Sequence, residues 1–165
     1  MSRSTGTQTR SWSYTGNLLT SATNPENGTI SYTYGSNNKV ATRTDAKGQA
    51  TAYTYDSLAR VTEVQRYPSG LSGGEDTCQR ETYTYDGNVP IIPTYGGYYP
   101  FTPANALGHL SGVMYLGGHA SGASLTCDTT FVELYSYGTS GATQIKLLQP
   151  NLCSQSAATA MSCFG

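Results

Sequence analysis

Charge is scarce in this chain. Lys, Arg, Asp and Glu make up 12% of its 165 residues, with nine cations against ten anions. An ordinary globular domain carries roughly twice that share. Nothing gathers phosphates, so nucleic acid is not an expected partner. No basic amphipathic stretch points to a membrane surface. A solvated disordered tail would need a high net charge, and here the net is −1. Solubility must rest on hydroxyls and amides.

Long hydrophobic runs are also missing. No run approaches the ~18 apolar residues of a membrane-spanning helix, so no membrane insertion is expected. The opening stretch, Met1 to Tyr14, has no apolar core of the ~7–15 residues that a signal peptide needs. Histidine is limited to His109 and His119. No CxxC pair occurs. The four cysteines, Cys78, Cys127, Cys153 and Cys163, all lie in the second half. Their spacing does not suit a closed zinc site, and no metal or other cofactor is expected. Disulfides among them would follow from secretion. Free buried thiols are the other reading, and the pairing stays open.

What the chain does contain is tyrosine. Tyr supplies 14 residues, Phe three and Trp one. Thr, Ser, Gly and Asn fill most of the rest. Thr and Tyr suit a pleated, half-buried surface, whereas Gly, Asn, Asp and Pro suit turns. That composition describes many short strands rather than a helical bundle. The length fits one domain.

An aromatic-x-Tyr step recurs: Trp12-Ser13-Tyr14, Tyr32-Thr33-Tyr34, Tyr53-Thr54-Tyr55, Tyr83-Thr84-Tyr85 and Tyr135-Ser136-Tyr137. The second aromatics are 20, 21, 30 and 52 residues apart. A turn follows each step, as in Gly35 to Asn38 or Asp56 to Ala59. A strand such as Lys39–Thr44 comes next, then a second turn such as Asn24 to Gly28 or Asp45 to Gly48. Asn27-Gly28 is a strong hairpin signal, because both residues tolerate positive φ. The two aromatics of a step share one face of a strand, with the intervening Thr on the other. A lone hairpin is marginal, so the units must stack.

The pattern predicts an all-β fold: stacked antiparallel hairpins in a curled or spiral sheet, with little or no helix. Residues 1–86 hold the regular hairpins. Residues 87–105 are a Pro/Tyr-rich insertion, residues 106–148 hold degenerate repeats, and residues 149–165 form a polar Cys-containing tail. All belong to one structural domain. Residues 68–78 read as a Gly/Ser-rich loop. Strands are expected to return at Leu110–Leu116, Phe131–Tyr137 and Thr143–Leu148.

The stretch Tyr53-Thr54-Tyr55-Asp56-Ser57-Leu58-Ala59-Arg60-Val61-Thr62-Glu63-Val64 resembles the YD repeat of RHS proteins. Its family pattern is approximately Y-x-Y-D-x-x-G-R-[LV]-x-x-[VI], and here Ala59 replaces the usual Gly. Tyr83 to Asp86 starts a second match. Tyr32 to Gly35 starts a third, with Lys39-Val40 for Arg-Leu. Asn105 to Leu110 resembles a further half unit, with His109 in the Arg position. Tyr135 to Gly138 resembles a degenerate fifth. The family includes bacterial polymorphic toxins, encapsulating subunits of insecticidal toxin complexes and the teneurins. The resemblance implies a sheet that forms a shell around a cargo, or lies against a partner. It implies an extracellular or cell-surface location in bacteria, and a fragment of the repeat region without core motif or C-terminal toxin.

Catalysis is not expected. No P-loop or HExxH occurs. His119 and Ser121, with Asp128 as a conceivable third member, form the nearest thing to a nucleophilic set. Adjacent turn residues give the same pattern by composition. Asp45, Asp56 and Asp86 fall at turns, where Asp caps its own backbone. A non-catalytic scaffold is the leading reading, with partners in further copies or adjacent repeat segments through sheet edges, and a cargo polypeptide or glycan as a further possibility. The alternative is a carbohydrate- or protein-binding surface using Tyr95, Tyr98, Tyr99 and Phe101, because rigid amphipathic tyrosines in an insertion suit ligand contact.

Overall fold

The computed structural model describes residues 8–88, 101–121 and 124–152. They form ten strands: β1 Ser11–Thr15, β2 Leu18–Asn24, β3 Gly28–Tyr34, β4 Val40–Thr44, β5 Ala50–Tyr55, β6 Val61–Tyr67, β7 Glu81–Tyr85, β8 Leu110–Ser121, β9 Ser124–Tyr137 and β10 Thr143–Leu152. All ten join one sheet in chain order, so β1 and β10 are its two edges. Every neighbouring pair is antiparallel. The only helical pieces among the described residues are two 3-10 turns, Leu71–Gly73 and Thr77–Gln79. They lie in the stretch expected to be loop, and the Asp76 side chain caps the second by accepting from the Cys78 N–H.

Each aromatic-x-Tyr step sits at the end of an odd-numbered strand. Opposite it, one residue of the following strand is skipped in the pairing. Tyr34 pairs with Val40 and Thr33 with Thr42, so Ala41 bulges. Thr20, Thr62, Ser111 and Gln144 are skipped in the same way. A bulge bends its strand and sharpens the local twist. Five bulges at one level of the ladder curl the sheet, as the hairpin pattern predicted.

Register sorts the side chains onto two faces. One carries the aromatic rows, such as Tyr53, Val64, Glu81, Tyr115 and Phe131 in successive strands. The other carries hydroxyls. Thr23 and Thr29 meet there at 2.8 Å, and Thr33 and Thr42 at 2.6 Å. Along β3 the aromatic face is half-buried and the hydroxyl face exposed. A single layer cannot bury large side chains fully, so the rings shield one another. Most of the buried residues lie where loops add to the β8–β9 arm, at Ala106, Ser111, Val132, Leu134, Ser136 and Tyr137, with Ala50, Val64 and Cys78 buried elsewhere.

Three expectations need correction. Gly117 to Ser121, read as turn residues, are the end of strand β8. The strands predicted at Leu110–Leu116, Phe131–Tyr137 and Thr143–Leu148 are longer: the first runs to Ser121, the second starts at Ser124 and the third runs to Leu152, into the expected tail. The Asn27-Gly28 hairpin uses positive φ only at Gly28, at 73°. Asn24 pairs with Gly28, which leaves a three-residue connection closed by a left-handed glycine.

Candidate functional site

The repeats are joined by two devices, both built on motif residues. The first is a tyrosine staple. The second Tyr of a step donates its hydroxyl to a main-chain carbonyl of the preceding unit. Tyr34 reaches Leu19 at 2.7 Å, Tyr55 reaches Val40 at 2.9 Å, Tyr85 reaches Val61 at 2.8 Å and Tyr137 reaches Leu110 at 2.6 Å. Each acceptor flanks a bulge and pairs with the previous step's second Tyr. A bulge disrupts the local ladder, and the hydroxyl supplies a partner for its carbonyl.

The second device is an ionic clamp at the opposite end of the hairpins from the Asp45–Gly48 turn. Asp56 opens its turn by accepting the Leu58 and Arg60 N–H groups on Oδ1, each at 2.9 Å. The chain then passes through Ala59 at φ 61°. Arg60 donates Nε to Asp56 at 2.7 Å. Its two terminal nitrogens grip Asp86 of the next unit, at 3.1 and 2.6 Å. The guanidinium carbon lies 4.3 Å from the centre of the Tyr85 ring. This is a forked, stacked geometry that Lys could not reproduce. The Arg60 guanidinium, and then the Gly108 N–H at 2.7 Å, hold the Asp86 carboxyl down to about 2. The Arg60 main-chain N–H and its guanidinium hold Asp56 below the usual carboxylate range.

Asp86 also anchors the insertion. In the other units the turn closes on itself, as when Asp56 N–H donates to the Arg60 carbonyl at 2.9 Å. Here Asp86 N–H donates instead to the His109 carbonyl at 3.1 Å, with the inserted residues between. The base of the insertion is tied to β9: Ala104 N–H donates to Ser136 Oγ, and Asn105 Nδ2 donates to the Tyr137 carbonyl, both at 2.9 Å. His109 stacks on Tyr137, with ring centres 4.5 Å apart. It thus takes the place over the next tyrosine that Arg60 takes over Tyr85.

A third group lies on the aromatic face. Tyr83 donates to Glu81, and Tyr135 to Glu133, two residues back in each strand. Burial and then the Glu81 carboxylate push the Tyr83 hydroxyl up to about 12. Arg66 pairs with Glu81 at 2.8 Å and Lys146 with Glu133 at 2.9 Å. Tyr115 stacks on Phe131 at 5.2 Å.

The residues proposed for ligand contact are not assembled by the described part of the chain. Tyr95, Tyr98 and Tyr99 lie outside the described residues. Phe101 is half-buried in coil at the insertion's return. Cys78 is buried and disulfide-bonded. Cys153 and Cys163 lie outside the described residues, and Cys127 falls on β9. His119 and Ser121 fall on β8 and Asp128 on β9. A groove of about 210 Å³ opens beside Arg43, Gln49, Thr51, Arg66 and Gln79. Its acid, Asp45, is occupied by the Lys47 and Gln49 N–H groups at 2.9 and 3.0 Å. Among the described residues no cluster of His, Cys, Asp and Glu is suited to a metal ion.

Sequence reasoning missed the bulges and the clamp. The Glu-x-Tyr spacing at Glu81 and Glu133 was a readable signal for the third group.

An open antiparallel ladder of bulged hairpins, stapled by tyrosine and clamped by Asp and Arg, defines a class of structural β-repeat modules. Residues 36–72, which contain the Asp56–Arg60 turn, match the RHS Repeat family. That match covers under a quarter of the chain, and units with the same turn and tyrosine pattern lie on either side of it. No curated protein matches the chain. Among the described residues no helix is long and apolar enough to cross a membrane.

Proposed function

We propose that this chain is a non-catalytic structural scaffold of RHS repeats, building part of a β-shell or of a self-associating extracellular assembly. One observation carries the reading: the titratable side chains of the motif are engaged between repeats. Arg60 holds the turns of two units together, and the tyrosine hydroxyls hold their strands. Groups committed in this way are poor candidates for acid–base work, which needs a proton donor or acceptor facing a substrate. The disulfide at Cys78 supports an oxidising, extracytoplasmic compartment. The two edges of the sheet, unpaired among the described residues, support self-association, because such edges recruit strands.

Size-exclusion chromatography with light scattering tests the assembly, and a panel of hydrolase substrates tests the absence of catalysis. Mass that rises with concentration and no turnover are expected. A strict monomer at high concentration would remove the self-associating reading. Turnover lost on substituting Asp86 or Glu133 would remove the non-catalytic one.

A further inference from the structure

We infer that copies of this chain add head to tail, with the outer edge of β10 on one copy receiving β1 of the next in the register the sheet already uses internally. This rests on the self-associating reading above. It goes further by fixing the two edges, their register and the charges that meet.

The sheet alternates two kinds of strand. Odd strands carry the aromatic-x-Tyr step, and even strands carry the bulge. Every odd strand after the first follows an even one, and the register of that junction never changes. The residue after the bulge lies opposite the residue three before the second Tyr. The pairs are Ser21 with Ser31, Thr42 with Ala52, Glu63 with Thr82 and Gly112 with Leu134. At each such junction the tyrosine staple forms as well.

Strand β1 is an odd strand with no even strand before it among the described residues. Strand β10 is an even strand with no odd strand after it among the described residues. Each edge therefore lacks what the other offers. Pairing β1 with β1 would join two aromatic strands, a junction found nowhere in the sheet. The aromatics of β1 show the want of a neighbour. Trp12 is 55% and Tyr14 61% exposed, whereas Tyr32, Tyr34, Tyr53 and Tyr55 are half-buried.

The internal register places Ile145 of one copy opposite Ser11 of the next. The Tyr14 hydroxyl then meets the carbonyl of Thr143, the residue that pairs with Tyr137. Lys146 comes opposite Arg10. These are like charges, each with its own carboxylate: Lys146 with Glu133 at 2.9 Å and Arg10 with Glu26 at 2.7 Å. Both side chains are about half exposed, at 54% and 49%. Association is thus weak and adjustable by charge. The contact is heterologous, so it extends to a third copy rather than closing at two.

Sedimentation velocity of the full chain over a concentration series tests this, with circular dichroism to verify folding. The average mass should pass that of a dimer without a plateau. Arg10→Glu should tighten association about fivefold, by converting a repelling cross-strand pair into an attracting one. Arg10→Glu with Lys146→Glu should return it to the starting strength. Tyr14→Phe should weaken it about fivefold through loss of one hydrogen bond. A plateau at two chains, or an Arg10→Glu variant that associates no more tightly, would overturn the head-to-tail register and leave self-association standing. A strict monomer in every variant would overturn both.

Discussion

The guanidinium of Arg60 sits between two carboxylates from different repeats, 2.7 Å from Asp56 and 2.6 Å from Asp86. Its fork faces Asp86, while Tyr85 lies beneath its plane. One side chain thereby fixes the distance between two turns that are not adjacent in sequence. In a ladder where each strand touches only its neighbours, such ties convert separate hairpins into one cooperative sheet.

The clamp predicts a specific acid sensitivity. The Asp86 carboxyl is depressed to about 2 by Arg60 and the Gly108 N–H. A depressed acid contributes stability that is present above the ordinary carboxylate range, near ~4. That contribution is lost as pH falls toward the folded value. Urea midpoints of the wild type should therefore drop between pH ~4 and the depressed value. Asp86→Asn should start lower at neutral pH and fall less steeply in that window, with a residual slope from Asp56. Parallel profiles for the two proteins would remove the clamp from the acid transition.

Ala59 holds φ at 61°, in the left-handed region. Non-glycine residues lose roughly 1–2 kcal/mol there. Glycine loses about 0.5–1 kcal/mol of chain entropy instead. Ala59→Gly should thus stabilise the fold by about 0.5–1 kcal/mol. Equilibrium urea unfolding measures it, and a destabilised variant would mean that the Ala59 methyl packs usefully.

The staples predict a difference between the two tyrosines of one step. Tyr55 donates to the Val40 carbonyl at 2.9 Å, and burial raises its hydroxyl above the ordinary value. Tyr55→Phe should cost about 1 kcal/mol, the net worth of one hydrogen bond. Tyr53, the first aromatic of the same step, makes no described hydroxyl bond, so Tyr53→Phe should cost little. Equal losses at the two positions would show that ring packing, not the staple, sets the energetics.

Strands and turns were legible because they follow from local chemistry. The Tyr-Thr-Tyr steps alternate with period two, and Asp56 or Gly48 punctuates them. The bulges at Ala41 and Thr62 were not legible, because a skipped residue is defined only against its partner strand. Gly117 and Gly118 read as turn chemistry, yet strand pairing continues through them with a register shift between Gly117 and His119. Tertiary pairing with the Thr-rich start of β9 overrides the local preference there. The Arg of the repeat motif was visible, but its function lay in a partner 26 residues away.

The fifth unit offers a test of whether the clamp can be installed. His109 stands where Arg60 stands, stacked on Tyr137 as Arg60 is on Tyr85. Gly138 stands where Asp86 stands, one residue after the second Tyr, and has no carboxylate to offer. Its backbone is not left-handed, unlike that of Asp86 at φ 62°, and its turn closes as the Asp56 turn does, so Asp is permitted there. An added Cβ would meet the Gln144 side chain at Nε2, Cδ and Cγ, at 3.0, 3.2 and 3.4 Å, so that exposed, flexible side chain must turn away. His109→Arg with Gly138→Asp should therefore recreate the fork over Tyr137. His109→Arg alone gains a charge without an acceptor, and Gly138→Asp alone lacks the guanidinium. A double-mutant cycle on urea unfolding should give a favourable coupling of about 0.5–1 kcal/mol, as for a well-aligned ion pair. High salt should reduce that coupling. Zero coupling at low salt would mean that the Arg60 geometry depends on its second carboxylate, Asp56, rather than on the Asp86 fork.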